Sequence, residues 1–292
     1  MSVIYNDQYV DEKYASIVEP NLYYDSVLQP GLTYTDKYTT GPAGGIFVHK
    51  LGSSSLAAPS TPAGDFSHVV TADSLIAIVL NNAFRKSEKI YGVTAASVSY
   101  DKAEAELSRV VREASQDWQA AGLACLAHEA TELGDVAEIT DQNLKTYFLK
   151  LRKELKDNKA NPNFALVSTA VYEDYLASVG DDYTPLRNDQ IVNSARGGMY
   201  FGMPIIECNL FNEAEVKYYD YSGTLVEVDL TNVDIIMGDF EAFSIITNLD
   251  AMGIVDARPT FTGSYAQVEM NSGFRVTNAD RIIIKTNTST SI

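Results

Sequence analysis

The sequence predicts an α+β fold, and three features carry that expectation. An amphipathic pattern long enough for a rod-like helix runs from about Tyr100 to Ala130, a helix–strand–helix passage follows it, and the final third alternates β-rich runs with turn residues. At 292 residues the chain holds one large domain or two ordinary ones, enough to bury a sizeable core. With 46% hydrophobic residues and 18 tyrosines, its composition is that of a folded protein.

Residues 1 to about 40 carry Tyr5, Tyr9, Tyr14, Tyr23, Tyr24, Tyr34 and Tyr38 with neither helical nor strand spacing. They predict an arm that orders against a surface, since tyrosine supplies apolar area and a hydroxyl handle. An ordinary first strand and loop of one domain is the alternative. From Gly41 to about Ala72 a Gly-, Ser-, Pro- and Ala-rich stretch surrounds the strand-like Ile46-Phe47-Val48. Loops of this length are uncommon in compact domains and are usually functional. No Gly-Lys-Ser/Thr follows the glycines, so this is not a phosphate loop; a hairpin projecting to a neighbouring subunit fits it better.

A short apolar helix is expected around Ser74 to Phe84. Next, Ala103, Leu107, Val110, Ala114, Trp118, Ala121 and Cys125 recur at three- and four-residue steps. Roughly 30 residues at ~1.5 Å each give a rod of ~45 Å, in which Gly122 costs about 1 kcal/mol relative to alanine unless packing offsets it. Thr140-Asp141 starts a second helix with Leu144, Phe148, Leu151 and Leu155 on one face, ending before Asn161-Pro162. A buried strand, Phe164-Ala165-Leu166-Val167, precedes a third helix with Val171, Tyr175 and Leu176. Residues about 136 to 235 read as a separate compact lobe, with loop and hairpin from Gly180 to Gly202. Strand-like runs then centre on Ile205-Ile206, Val216 to Tyr219, Leu225 to Val228, Val233 to Met237, Phe243 to Ile246 and Arg281 to Lys285, and the polar tail from Thr286 is loose.

A net charge of −17 argues against tight phosphate binding by the surface as a whole, so any DNA contact is weak or local. Cys125 and Cys208 suggest neither a disulfide framework nor a thiolate metal site, and they suit a reducing cytoplasm. Met1 to Asp7 lacks the basic start and apolar run of a signal peptide, and Leu75 to Leu80 is too short to cross a bilayer.

Catalytic constellations find little material. His128 and Glu132 lie one helical turn apart beside Glu129, but no second histidine completes a zinc-protease pattern, and the trio reads as the polar end of the rod. There is no Gly-x-Ser-x-Gly elbow, and neither cysteine has an adjacent basic group to activate it. Pairs such as Asp181-Asp182 or Glu213 and Glu215 read as solvated loops among 39 acidic residues. Lys145, Lys150, Arg152, Lys153, Lys156 and Lys159 form the one basic concentration, interrupted by Glu154 and Asp157; it reads as a wet helix face, with contact to nucleic acid as the alternative. No catalytic, cofactor-binding or metal-binding residue is assigned.

The order of tyrosine-rich arm, long hairpin loop, rod, α/β lobe and late strands resembles the tailed-phage capsid fold of the Hong Kong 97 type. Two phrases add to it: Gly197 to Asn209, with Gly202-Met203-Pro204-Ile205, resembles the family's turn into a late axial-domain strand, and Ile235 to Phe243, with Gly238-Asp239, resembles the phrase that follows. The resemblance implies an N-terminal arm at 1–40, an extended loop at 41–72, a peripheral domain at 73–135 with its spine helix at about 100–130, an axial domain at 136–235, and strands at 236–292 returning to the peripheral domain.

It further implies a non-enzymatic major capsid subunit that assembles as pentamers and hexamers into an icosahedral head around double-stranded DNA. Assembly takes place in the host cytoplasm, and the DNA is contacted weakly and without sequence specificity. Many family members begin with a helical scaffolding segment of about a hundred residues. Here the loop is reached within about 40 residues of Met1, so scaffolding is expected to be a separate protein or unnecessary, and a portal and possible decoration proteins are expected. Lys50 is the only lysine of the loop, but no partners for a crosslink are identifiable. The alternatives are an encapsulin-type nanocompartment shell, against which the long arm counts, and an α/β enzyme using Arg187, Asp189, Asn193 and Arg196 in the 180–202 loops.

Overall fold

The computed structural model describes residues 26–35, 37, 45–50, 74–91, 102–135, 137–179, 196–200, 202–256 and 263–287. The three- and four-residue apolar steps form helix α1 (Lys102–Glu129), about 42 Å long at ~1.5 Å per residue. Leu107, Val110, Val111, Ala114 and Trp118 are buried along one stripe, and every residue from Ala121 to Ala127 is buried. Small side chains in that last run let other elements close on the helix from several sides.

The first such element is the three-stranded antiparallel sheet β11 (Phe243–Asp256), β12 (Gly263–Val276) and β3 (Asn82–Tyr91). Its β12 and β3 lie along α1, with Phe274 6.3 Å from both Trp118 and Phe84, ring centre to ring centre. The second is the antiparallel hairpin of β8 (Val216–Tyr219) and β9 (Leu225–Val228). Its turn is held by the Asp220 carboxylate, which accepts from the backbone N–H groups of Ser222 and Thr224 at 2.9 and 2.8 Å, with Gly223 at φ +81°.

The third is a mixed six-stranded sheet in the order β4 (Thr131–Glu132), β13 (Ile282–Thr286), β10 (Val233–Gly238), β5 (Phe164–Val167), β7 (Met203–Glu207) and β6 (Arg196–Tyr200). Alternation along its strands divides the sheet between two cores. Phe164, Leu166, Ile206, Ile236, Ile282 and Ile284 join the cluster around α1. Their neighbours Ala165, Val167, Ile205, Ile235, Met237 and Ile283 join a second cluster under α2 (Leu144–Asp157) and α3 (Thr169–Val179). Burial on both faces explains why these strands read as continuous apolar runs.

One expectation is overturned by the structure. The apolar stretch at Ser74 to Phe84 is not helical: it forms β2 (Ser74–Val79), which pairs with β1 (Gly45–Lys50), and the start of β3. Its β-branched content and outside pairing partners decide between two readings that a short apolar run leaves open. Residues 139–237 supply every buried member of the second cluster except Ile283, while the other face of their sheet belongs to the α1 cluster and residues 216–228 pack on α1. Of the strands after residue 236, β11 and β12 pack on α1, and β13 joins the large sheet beside β10 and β4 with Ile282 and Ile284 turned to the α1 cluster.

The segment 26–35 also differs from a free arm. Leu28 is fully buried, Tyr34 sits edge-on to Trp118 at 6.4 Å, and Val27 N–H donates to the buried Gln119 Oε1 at 2.9 Å. Thr35 N–H donates to Phe243 O at 2.8 Å, tying the segment to β11. This part of the expected arm belongs to the subunit core; the rest of it lies outside the described residues, except Lys37.

Candidate assembly surfaces

Strand alternation gives the β1–β2 hairpin two unlike faces. Val48 and Ile78 turn inward onto Ile246 of β11. Phe47, 70% exposed, and Leu75, 61% exposed, turn outward with Ala77 and Val79. The base of the hairpin crosses β12 at Gly273, where an added Cβ would lie 2.3 Å from the Val79 carbonyl oxygen. Only glycine permits that approach. Residues 51–73, the body of the expected extended loop, lie outside the described residues, and Lys50 is placed only as the last residue of β1.

A second outward apolar group sits on the β8–β9 hairpin, where Tyr219 is paired with Leu225 and both are exposed with Tyr221. Asn82, buried at the junction of β2 and β3, anchors this hairpin. Its side-chain amide donates to Tyr219 O at 2.9 Å, and its carbonyl oxygen accepts from Tyr219 N–H at 2.8 Å. Asn81 adds a side-chain amide bond to Asp220 O. Both outward groups therefore hang from one junction, residues 79–82.

The residues considered for chemistry are dispersed. His128 Nδ1 lies 2.8 Å from the Tyr218 hydroxyl. Glu129 pairs with Arg275 and accepts from Val276 N–H at 2.8 Å. Glu132 accepts from the Thr286 hydroxyl at 2.6 Å. His128 and Glu129 thus pin the end of α1 to β8 and β12, whereas Glu132 lies in β4, beyond the helix and not one helical turn from His128, and bonds to β13. Burial pushes the Cys125 thiol well up and that of Cys208 up to about 12, which disfavours the thiolate in both.

Arg187, Asp189, Asn193, Asp181 and Asp182 lie outside the described residues, Arg196 opens β6, and Glu213 and Glu215 are exposed in the loop before β8. Among the described residues no group of three or more His, Cys, Asp or Glu side chains is placed to hold a metal ion. Lys145, Lys150, Lys153, Lys156 and Lys159 are exposed on and after α2, as expected of a wet face, with Lys150 paired to Asp135 at 2.8 Å.

Sequence reading missed Lys285, which is fully buried in β13 with its Nζ 3.3 Å from Asp234 Oδ2. A register shift between Val233 and Ile235 marks Asp234 as the extra residue of a bulge opposite Lys285 and Thr286, and the bulge turns its carboxylate toward the amine. Burial holds that carboxyl above its ordinary value against the pull of Lys285. A lysine ending an Ile-Ile-Ile run carries no signal that separates burial from a strand terminus.

A long helix laid along a three-stranded antiparallel sheet, an outward hairpin ahead of it, and a six-stranded sheet shared with two further helices together make the Hong Kong 97 type capsid fold of tailed phages. Solved structures with this arrangement include the capsid of the cyanophage P-SCSP1u, 13% identical over 86% of this chain and 86% of that one, with a TM-score of 0.62. The mature capsid of bacteriophage PhiM1 is 12% identical over 91% and 92%, with a TM-score of 0.59. A virus-like particle from Pyrococcus furiosus is 11% identical over 94% and 98%, with a TM-score of 0.59. No family model matches the sequence, and no curated protein is detectably similar. The shared property is the fold.

Proposed function

We propose that this chain is the major capsid subunit of a tailed phage, a structural protein that assembles into an icosahedral head around double-stranded DNA. The observation that carries the reading is the pairing of a capsid fold over nearly the whole chain with an outward hairpin face, Phe47 and Leu75, that none of the described residues covers. Such a face is stabilised by closing on another copy, and many modest repeated contacts make a stable shell. The partners that belong to this reading are further copies as pentamers and hexamers, a scaffolding protein, a portal and decoration proteins, with assembly in the host cytoplasm. DNA is held by closure of the shell and is contacted weakly.

The test is expression of the full chain, with and without a scaffold partner, followed by size-exclusion chromatography and negative-stain microscopy. Closed shells are expected; monomers that persist at high concentration in both conditions would overturn the reading. Deleting residues 51–62 is expected to leave a folded subunit that assembles poorly. A second reading, a shell enclosing cargo other than a genome, draws on the likeness to a virus-like particle. Terminase and portal genes beside the coding sequence favour the phage head.

A further inference from the structure

Helix α2 has two faces, one packed on the core and one turned outward among the described residues. Leu144, Phe148, Leu151 and Leu155 are buried against the large sheet. At ~100° per residue, Lys145, Leu149, Arg152, Lys153 and Lys156 fall within one arc of about 100° on another side. Glu154 and Asp157, which interrupt the cluster in sequence, lie outside that arc, so on the helix the basic stripe is continuous. Leu149, 44% exposed, sits in the middle of it. Lys156 donates to Asn161 at 2.9 Å, and Lys150, paired with Asp135, is off the stripe.

Resting on the shell reading, we infer that this stripe is an intersubunit contact that docks on the acidic surface of a second copy of this chain. Charge complementarity argues for that occupant. Residues 144–159 carry six cations and two carboxylates in a chain of net charge −17, so the remainder of a neighbouring copy is strongly acidic overall and complementary in charge to this stripe. Around α3 on the same lobe, the Asp174 carboxyl is held above its ordinary value first by burial and then by the like charges of Asp141, Glu138 and Glu173. A head-to-tail ring requires unlike, complementary patches on different faces of one subunit, and a basic face beside an acidic remainder meets that requirement. The exposed leucine favours a protein partner over a phosphate backbone, because interface cores combine apolar anchors with a charged rim.

The test compares full-length protein with a charge-reversed variant, Lys145→Glu/Lys153→Glu/Lys156→Glu, and a neutral variant carrying glutamine at the same positions. Circular dichroism establishes folding, and sedimentation velocity over a range of salt measures assembly, with nucleic acid content read from absorbance of the purified particles. The reversed variant is expected to stay folded and to raise the concentration needed for assembly by at least about tenfold at low salt, the neutral variant less. The inference is overturned by a reversed variant that assembles like the wild type. It is also overturned by one that assembles normally but retains less DNA, which assigns the stripe to nucleic acid. Wild-type protein that forms no assembly overturns the shell reading itself and this inference with it.

Discussion

Residues 26–35 and the β1–β2 hairpin both precede α1 and both carry large apolar side chains, yet they have opposite fates. Leu28 and Tyr34 are inside the subunit, whereas Phe47 and Leu75 are among its most exposed apolar residues. What differs is the receiving surface. The first segment meets α1 at Gly122, where the missing side chain leaves room for Leu28 and Phe274. The hairpin meets the sheet at Ile246 of β11 and, at its base, Gly273 of β12, and one of its two faces is enough for those contacts. A segment ahead of the rod is therefore subunit core where the rod has a hole for it, and keeps an exposed apolar face where the contact is one-sided.

The largest test of this contrast is Leu28→Ala. It is expected to cost about 2–5 kcal/mol in urea unfolding of the unassembled subunit, because it empties a fully buried site. A cost under about 0.5 kcal/mol would return the segment to the category of detachable arm. Gly122→Ala places a Cβ 2.7 Å from Leu28 Cδ1 and 3.1 Å from Phe274 Cε1. The overpacking is expected to cost about 1–3 kcal/mol, partly offset by the roughly 1 kcal/mol that alanine gains in helix propensity. Combined with Leu28→Ala it should cost less than the sum, since the clash disappears with the leucine.

Asn82→Ala removes the two-way bond to Tyr219 and leaves that residue's part-buried backbone groups without this partner, at an expected cost of about 1 kcal/mol. If the 79–82 junction sets the pose of both outward groups, this variant also assembles less well than its stability loss alone explains. Phe47→Ser is expected to change unfolding by no more than about 0.5 kcal/mol while impairing assembly, and light scattering separates the two readouts.

The smallest effect lies where the first segment ends. Lys37, 2.5 Å from Glu241, holds that carboxyl below its ordinary value. The pair's contribution to folding is present above the ordinary glutamate pKa and is lost as the pH falls through the lowered one. Lys37→Met is expected to let Glu241 titrate closer to its ordinary value, read by NMR, with little change in midpoint because both side chains are about half exposed.

Much of the fold was legible before any coordinates. The rod is legible because Leu107, Val110, Ala114 and Trp118 repeat at the helical period over about three turns, Phe164 to Val167 reads as a buried strand because nothing polar interrupts it, and Arg281 to Lys285 reads as a strand. The outward hairpin was half legible: Ile46-Phe47-Val48 looked like a strand, but its partner at Ser74 to Val79 was taken for helix, since a six-residue apolar run has no period of its own. The basic stripe was visible only as a cluster, because Glu154 and Asp157 separate from it on a wheel and not along a line.

By itself, then, the sequence determined most of the elements and their order, since these depend on periodicities and turn residues that act within a few positions. Tertiary structure decided which surfaces those elements share. Gly122 is a costly residue in a helix until Leu28 and Phe274 are seen to close on it. Lys285 is a strand-end lysine until a bulge delivers Asp234. Phe47 and Leu75 are ordinary strand residues until the β11 edge is found to cover only the other face. In each case the partner lies tens to hundreds of residues away, and burial is a property of the pair that meets.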